Sequence, residues 1–295
     1  MRSGFVSIVG RPNVGKSTLL NKIINKKIAI TSDKVGTTRN IIYGVYNEED
    51  TQIVFIDTPG IQKSFNKLGS ILNKKAYQMA DDNEIVLFMV DIASGFGKGD
   101  QNILDRLKSD DKDVILVLNK VDIINKNKLL KEINNLKDLY NFKEIVPISS
   151  LEGDNVKELI SVIKKYLKDD IKYFDDNVVT NVSDNFMIGE IIREKVLTNT
   201  KEEVPHSVTV VVDEVKNKKN ACVITASIIV DRENLKGIII GKGGSMLKTI
   251  GSSAREELEI RLNKKVFIEL YVKVIKSWRD KEYCLKDLGL DELDN

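Results

Sequence analysis

Proline is scarce in this 295-residue chain, with 4 in all, and the sequence holds 1 histidine, 1 tryptophan and 2 cysteines. So little proline excludes a proline-rich or collagen-like architecture. Cys222 and Cys284 lie far apart and form no metal-ligand cluster, so free thiols in a reducing cytosol are expected rather than a disulfide framework. The only histidine, His206, stands beside Pro205 with no partner motif and reads as structural. Long apolar runs are missing too. "IVLFMV" and "VILVL" are far shorter than a membrane span, and the opening "MRSGFVSIVG" reads as a first core strand rather than a signal peptide. Nor does one charge sign dominate: the net charge is +2, so bulk electrostatics do not announce a nucleic-acid binder and any such role needs a local patch.

What is present is an ordinary hydrophobic share of 42% and a length that suits two domains. From 1 to 168 the runs "FVSIVG", "QIVFID", "EIVLFMVD", "DVILVLNK" and "EIVPISS" alternate with amphipathic segments such as "STLLNKIINKK" and "NKLLKEINNLKDLY". Short runs of this kind fit strands buried on both faces, so an α/β domain with a mostly parallel sheet and helices on both faces is expected, its chemistry at the carboxyl ends of the strands. Residues 169–182, "DDIKYFDDNVVTNV", break the rhythm and read as a linker. Residues 183–295 then run helix, two strands, a glycine loop after an apolar turn, helix, strand and terminal helix, an α+β pattern.

"GRPNVGKS" places Gly10, Arg11, Pro12, Asn13, Val14, Gly15, Lys16 and Ser17 between a strand and a helix, the setting in which G-x-x-x-x-G-K-S cradles phosphates. Backbone amides and the helix N-terminus face the phosphate oxygens, Lys16 reaches the β- and γ-phosphates, and the Ser17 hydroxyl takes Mg²⁺. The loop alone does not choose the base. "NKVD" does: Asn119, Lys120, Val121 and Asp122 end a buried strand, and a buried carboxylate at Asp122 would accept from the ring N–H and exocyclic amine of guanine. Adenine offers no such donor pair, and an unpaired carboxylate would penalise it by about 10⁴-fold. Backbone amides of Ser149, Ser150 and Leu151 in "ISSLEG" are expected near the guanine carbonyl. The expected ligand is GTP or GDP.

In "IDTPG", which supplies Asp57, Thr58, Pro59 and Gly60, Asp57 is expected to hold Mg²⁺ through water and the Gly60 amide to meet the γ-phosphate. "KVGTTRN" offers Thr37 and Thr38 to close over the metal, with Thr38 favoured, and both segments read as order–disorder switches. Many GTPases place a water-orienting glutamine after this turn. Here Ile61 follows, so hydrolysis should be slow unless something else positions water or supplies positive charge.

"GIIIGKGGSMLKTIG" holds Gly241, Lys242, Gly243 and Gly244, a G-x-x-G loop before a helix. With a helix and two strands ahead of it and a helix and strand behind, it fits a type II KH domain, which clamps about four nucleotides of single strand. Lys236 to Arg279 carries ten basic residues against four acidic ones, and Lys236, Lys242, Lys248 and Arg255 flank the loop, giving a local cationic face for a short RNA.

The first half resembles the GTPases of the TrmE–Era group, which share the hydrophobic residue at the position of Ile61. Through "GRPNVGKSTLLN", "GTTRN", "DTPGI", "NKVD", "ISSLEG", "KGIIIGKGGSMLKTIG" and "SWRDKEYCLKDLGL", the whole chain resembles the Era family. Gly243 departs from it, standing where many relatives carry a larger basic or polar residue. The resemblance implies a bacterial GTPase that binds the 3′ end of small-subunit (16S) ribosomal RNA and acts in assembly of the 30S subunit. It also implies that Asn13 helps bind K⁺ beside the phosphates, although Asn13 equally suits a tight loop conformation. Asn13, Lys16, Thr38 and Gly60 are then the catalytic set, with Ser17, Thr38 and Asp57 around Mg²⁺. A monomer is expected, in the cytoplasm, with peripheral association at the inner face of the cell membrane. Two other readings stand beside this one: a P-loop enzyme using GTP as an energy source, which would need a second catalytic constellation, and an RNA-binding scaffold with a vestigial GTPase.

Overall fold

The computed structural model describes residues 1–83, 85–108 and 112–291. Glu84, which opens the run "EIVLFMVD", and the last four residues of the expected second domain lie outside the described residues.

The first half folds as β1 (Arg2–Val9), α1 (Lys16–Ile24), β2 (Ile42–Glu48), β3 (Thr51–Asp57), α2 (Lys67–Asp82), β4 (Ile85–Asp91), α3 (Lys98–Leu107), β5 (Asp113–Asn119), α4 (Lys126–Leu136), β6 (Glu144–Ile148) and α5 (Val156–Lys164). Its strands form one six-stranded sheet in the order β2-β3-β1-β4-β5-β6. All neighbours are parallel except β2, which runs antiparallel to β3 from Ile42 opposite Asp57 to Glu48 opposite Thr51. Alternate strand residues feed two cores. Val6, Ile8, Leu87 and Val117 pack with α1 and α5 on one face, and Val9, Phe88, Val90 and Leu116 pack with α2, α3 and α4 on the other. Burial on both faces is why the strands read as continuous apolar runs.

The second half folds as α6 (Asp184–Asn199), α7 (Val204–Ser207), β7 (Thr209–Asn217), β8 (Ala221–Val230), α8 (Glu233–Ile240), α9 (Ser245–Leu262), β9 (Lys265–Val274) and α10 (Glu282–Asp287). The three strands lie in the order β7-β8-β9, with β7–β8 antiparallel and β8–β9 parallel. Their inner face packs on α6 and α9 through Ile191, Ile192, Ile224, Ala226, Ile250 and Leu258.

Three features differ from the sequence reading. Strand β2 was not expected: Tyr43, Gly44 and its polar end carry little apolar pattern, and the strand is specified by its pairing with β3. The segment read as an apolar turn before the glycine loop is the helix α8, eight residues long with Gly237 inside it. Finally, the stretch 169–182 is strapped along β2 and β3. The buried Gln52 side chain accepts from the amides of Tyr173 and Phe174 and donates to the Phe174 carbonyl, while Val45 N donates to Val179 O.

The two halves share buried surface. Leu68, Ile71 and Leu72 of α2 cluster with Ile229, Trp278, Leu285 and Leu290, and Ile30, from the loop after α1, joins the core of the second half.

Candidate functional site

A cleft of about 780 Å³ opens at the carboxyl end of the sheet, lined by the loop from Pro12 to Thr18 and by segments 30–38, 119–123 and 150–151. Its floor is the turn from β1 into α1. Gly15 there has φ 105°, a left-handed conformation that glycine adopts at little cost. A Cβ at Gly60 would stand 2.7 Å from the Pro12 backbone, so the phosphate loop and the "DTPG" turn can meet only with glycine at that position. Lys16 begins α1 and is buried, its Nζ donating to the carbonyls of Gly10 at 3.2 Å and Arg11 at 2.9 Å. Burial brings its ammonium down to about 8, with the Asp57 carboxylate opposing that fall.

Three oxygen-bearing side chains converge beside it. Ser17 Oγ donates to Asp57 Oδ2 at 2.5 Å and lies 2.9 Å from Thr38 Oγ1. Burial pushes the Asp57 carboxyl up to about 6, against Lys16 and the hydrogen bonds from Ser17 and Thr38. Among the described residues Asp57 Oδ1 is buried with no hydrogen-bond partner. A carboxylate with one oxygen unsatisfied next to two hydroxyls is a donor set that suits a hard cation such as Mg²⁺. Of the two threonines, Thr38 faces this cluster. Thr37 is turned away, its hydroxyl donating to the Lys34 carbonyl at 2.6 Å.

At the far end of the cleft Asn119 works as a brace. Its Nδ2 donates to the Val14 carbonyl at 2.7 Å, and its Oδ1 accepts from both the amide and the hydroxyl of Ser150 at 2.9 Å. The amide thus ties the phosphate loop to the β6 loop, and both of its ends are committed within the protein. Lys120 takes a left-handed backbone (φ 69°) and pairs with Asp91 at 2.7 Å. Although burial of Asp91 opposes it, the hydrogen bonds from Lys120, Ser94 and Ala93 hold its carboxyl below the usual range. Two expectations need correction here. Asp122 is exposed on the short turn Val121–Ile123 and lines the cleft together with the exposed Ile123 and Leu151, so any burial of its carboxylate must come from a base entering the cleft. The Ser149 amide is spent on the Asp154 carbonyl and the Ser150 amide on the Asn119 side chain.

Some residues of the phosphate-binding motifs serve the scaffold. Val14 is buried in the core, Thr58 donates to the Ile8 carbonyl at 2.7 Å, and the Arg11 side chain turns out to Asp100 at 2.8 Å. Pro59 is buried, and Ile61 packs into the core with Val9 and Ala76 while its amide donates to the Gly10 carbonyl at 3.1 Å. Asn13 takes the tight loop conformation expected of it. It sits at φ 63°, and its Nδ2 donates to the Asp33 carbonyl at 2.5 Å.

The glycine loop of the second half is built differently. Gly241 has φ 72° and a Cβ there would stand 2.7 Å from the Met246 Cβ. Gly243 and Gly244 also have positive φ, yet among the described residues nothing lies within 4 Å of where their Cβ atoms would stand. Lys242, Gly243, Lys248 and Arg255 are exposed, Lys236 is half-buried, and Ile238 presents apolar surface on α8.

A family model described as "50S ribosome-binding GTPase" matches residues 5–120, and one described as "KH domain" matches residues 203–279. The structure superposes on a variant of Aquifex aeolicus Era bound to GDP and aluminium fluoride with a TM-score of 0.95. The identity is 42%, over 99% of this chain and 100% of that one. A second Era structure, in complex with MgGDPNP and nucleotides 1506–1542 of 16S ribosomal RNA, gives the same TM-score and identity over 99% of each chain. The chain belongs to the Era family. It is a GTPase with a carboxyl-terminal KH domain.

For an Era-family protein the residues that motif reading missed are those joining the two domains. Arg193 on α6 donates to the Thr37 carbonyl, Arg39 donates to the Val208 carbonyl at 2.7 Å and lies over the Trp278 ring, and Lys27 bridges Glu194 and Glu257 at 2.6 Å each. Burial lowers Arg39 to about 9, with the Arg193 charge adding to the fall. The apolar residues of α6 follow no single stripe, and nine residues spread around its circumference, Arg193 and Glu194 included, are buried. Such a helix lies between two bodies rather than on the surface of one.

Proposed function

We propose that the protein is a GTP-controlled RNA-binding switch that takes the 3′ end of small-subunit ribosomal RNA on its KH loop during assembly of the 30S subunit. The observation that carries this reading is the match, over 99% of both chains, to an Era structure in complex with MgGDPNP and 16S ribosomal RNA. Both halves of this chain superpose together on a protein that takes both ligands.

Within the cleft, Lys16 would leave its two carbonyl partners for the β- and γ-phosphates, and loop amides would receive the remaining oxygens. Ser17, Thr38 and Asp57 would hold Mg²⁺, which supplies charge neutralisation of the phosphate oxygens when bound. The Gly60 amide would meet the γ-phosphate. Ile61 points into the core and cannot orient water, so charge stabilisation beside the phosphates has to come from elsewhere. Asn13 Oδ1 would supply a ligand for K⁺ there. Asp122 would read guanine while Asn119 keeps the loops around it in register.

On the KH side, Gly241 to Gly244 would let an RNA backbone approach, with Lys236, Lys242 and Lys248 on its phosphates. The setting is the cytoplasm. No helix among the described residues is long and apolar enough to cross a membrane, so membrane attachment would be peripheral.

The test is binding of an oligonucleotide copying the 3′ end of small-subunit ribosomal RNA against a scrambled strand of equal length. Selective binding of the first, lost at high salt, is expected. Equal affinity for both strands would remove the ribosomal reading and leave a GTPase whose KH domain takes another ligand.

A further inference from the structure

Two consecutive residues of the first KH-domain helix grip the switch segment of the GTPase domain at both ends. Glu194 Oε1 accepts from the Thr31 amide at 3.0 Å, and the Arg193 guanidinium donates to the Thr37 carbonyl. Arg193 is not free to do otherwise. Its side chain is 1% exposed, and Glu190 holds it in a fork, Nε to Oε1 at 2.7 Å and Nη2 to Oε2 at 2.6 Å. The orientation of the donor is therefore set by α6, inside the KH domain.

The peptide it holds is the one that carries Thr38. In a trans peptide the carbonyl and the N–H point in opposite directions. With the Thr37 carbonyl turned to α6, the Thr38 N–H is turned away from the KH domain, and both threonines line the nucleotide cleft. The Thr38 hydroxyl stands 2.9 Å from Ser17 Oγ, at the cation cluster. One peptide unit thus has the KH domain on its carbonyl side and the phosphate end of the cleft on its amide side.

We propose that the Thr37–Thr38 peptide is the contact through which the KH domain governs the γ-phosphate end of the cleft, with Arg193 as the positioning residue. This rests on the reading of the cleft as a GTP site and not on what the KH loop binds. Loss of the Arg193 hydrogen bond would free the peptide to rotate. It would cost affinity for nucleotides that carry a γ-phosphate and leave diphosphate binding, which relies on the phosphate loop and the guanine end, as it is.

The test compares fluorescent GDPNP and GDP binding, in the absence of RNA, for the unmodified protein, for Arg193→Lys and for the double variant Arg193→Gln/Glu190→Gln. The double change removes both charges, so no unpaired buried carboxylate is left to unfold the domain. The expected result for the double variant is a loss of about tenfold in GDPNP affinity, the equivalent of one charge-assisted hydrogen bond, with GDP affinity within about twofold. Arg193→Lys, which keeps one donor on a flexible stem, falls between the two. Equal losses for GDPNP and GDP would make Arg193 a structural residue, and unchanged affinities would show that the peptide holds its place without it; either overturns the proposal. Failure of RNA to respond to nucleotide, with the GDPNP-selective loss intact, would sink the switch reading and leave this one standing.

Discussion

Two loops in this molecule present backbone amides at the start of a helix, and they are built on opposite plans. The loop before α1 is enclosed. Lys16, Asp57 and Asn119 are buried and hold one another's surroundings in place through short hydrogen bonds; Gly60 is needed because the Pro12 backbone passes close by, and Gly15 because the Asn119 side chain does. The loop before α9 is open. Lys242, Gly243 and Lys248 are exposed to solvent, and among the described residues nothing crowds Gly243 or Gly244. The first has its polar groups set before a ligand arrives, which suits discrimination among small molecules, since a wrong base leaves buried groups unpaired. The second offers charge and close approach to a chain passing over it, which suits a polymer backbone. Changes in the first should therefore cost chemistry and selectivity together, and changes in the second should cost affinity for RNA alone.

The sharpest way to break that contrast is at the base-reading end. Asp122→Asn should reverse the preference from GTP to xanthosine triphosphate by about 10⁴-fold in relative affinity, because the amide can donate to the extra carbonyl that xanthine carries in place of the guanine amine. Competition binding of the two nucleotides reads this directly. Unchanged preference would mean that Asp122, exposed as it stands, does not close on the base.

A smaller effect is expected at the open loop. Lys242→Asp/Gly243→Asp should weaken binding of the ribosomal oligonucleotide by about 30- to 100-fold, by replacing a phosphate partner with two repelling carboxylates. Asp tolerates the left-handed conformation at Gly243 better than most residues, and nothing near it need move. GTP turnover and melting temperature should hold. A fall in turnover measured without RNA would show that the two loops are not the separate designs described above.

The smallest of these effects concerns what replaces the missing glutamine. With Ile61 in the core, turnover should be about tenfold faster in KCl than in NaCl, and Asn13→Ala should erase the difference. Turnover that is equal in the two salts would remove K⁺ and with it the role given to Asn13.

The contrast also explains what was legible in the sequence. The phosphate loop, "DTPG" and "NKVD" are readable because each fixed position answers a local requirement of backbone or base chemistry. The strands β1, β3, β4, β5 and β6 are readable because burial on both faces gives each a nearly continuous apolar run. Strand β2 is not, since it lies at the sheet edge and owes its place to β3 and to the strap that pairs with it. Part of the hold on that strap comes from a buried glutamine, Gln52, whose side chain bonds backbone more than a hundred residues away, and no periodicity encodes such a contact. The same is true of Arg193. An arginine in "IIREKVL" looks like a solvated charge until the fold places Glu190 and the Thr37 carbonyl around it. Asn119 teaches the converse: its motif was visible, but its work as a brace between two loops is a property of the assembled site.

The central claim is that the enclosed site and the open one communicate. The most direct measurement is the affinity of the ribosomal 3′-end oligonucleotide for the protein saturated with GDPNP and, separately, with GDP. The account predicts binding at least about fivefold tighter in the GDPNP state, with the oligonucleotide raising the preference for GDPNP over GDP by the same factor, as thermodynamic linkage requires. Identical RNA affinity in the two states would contradict it.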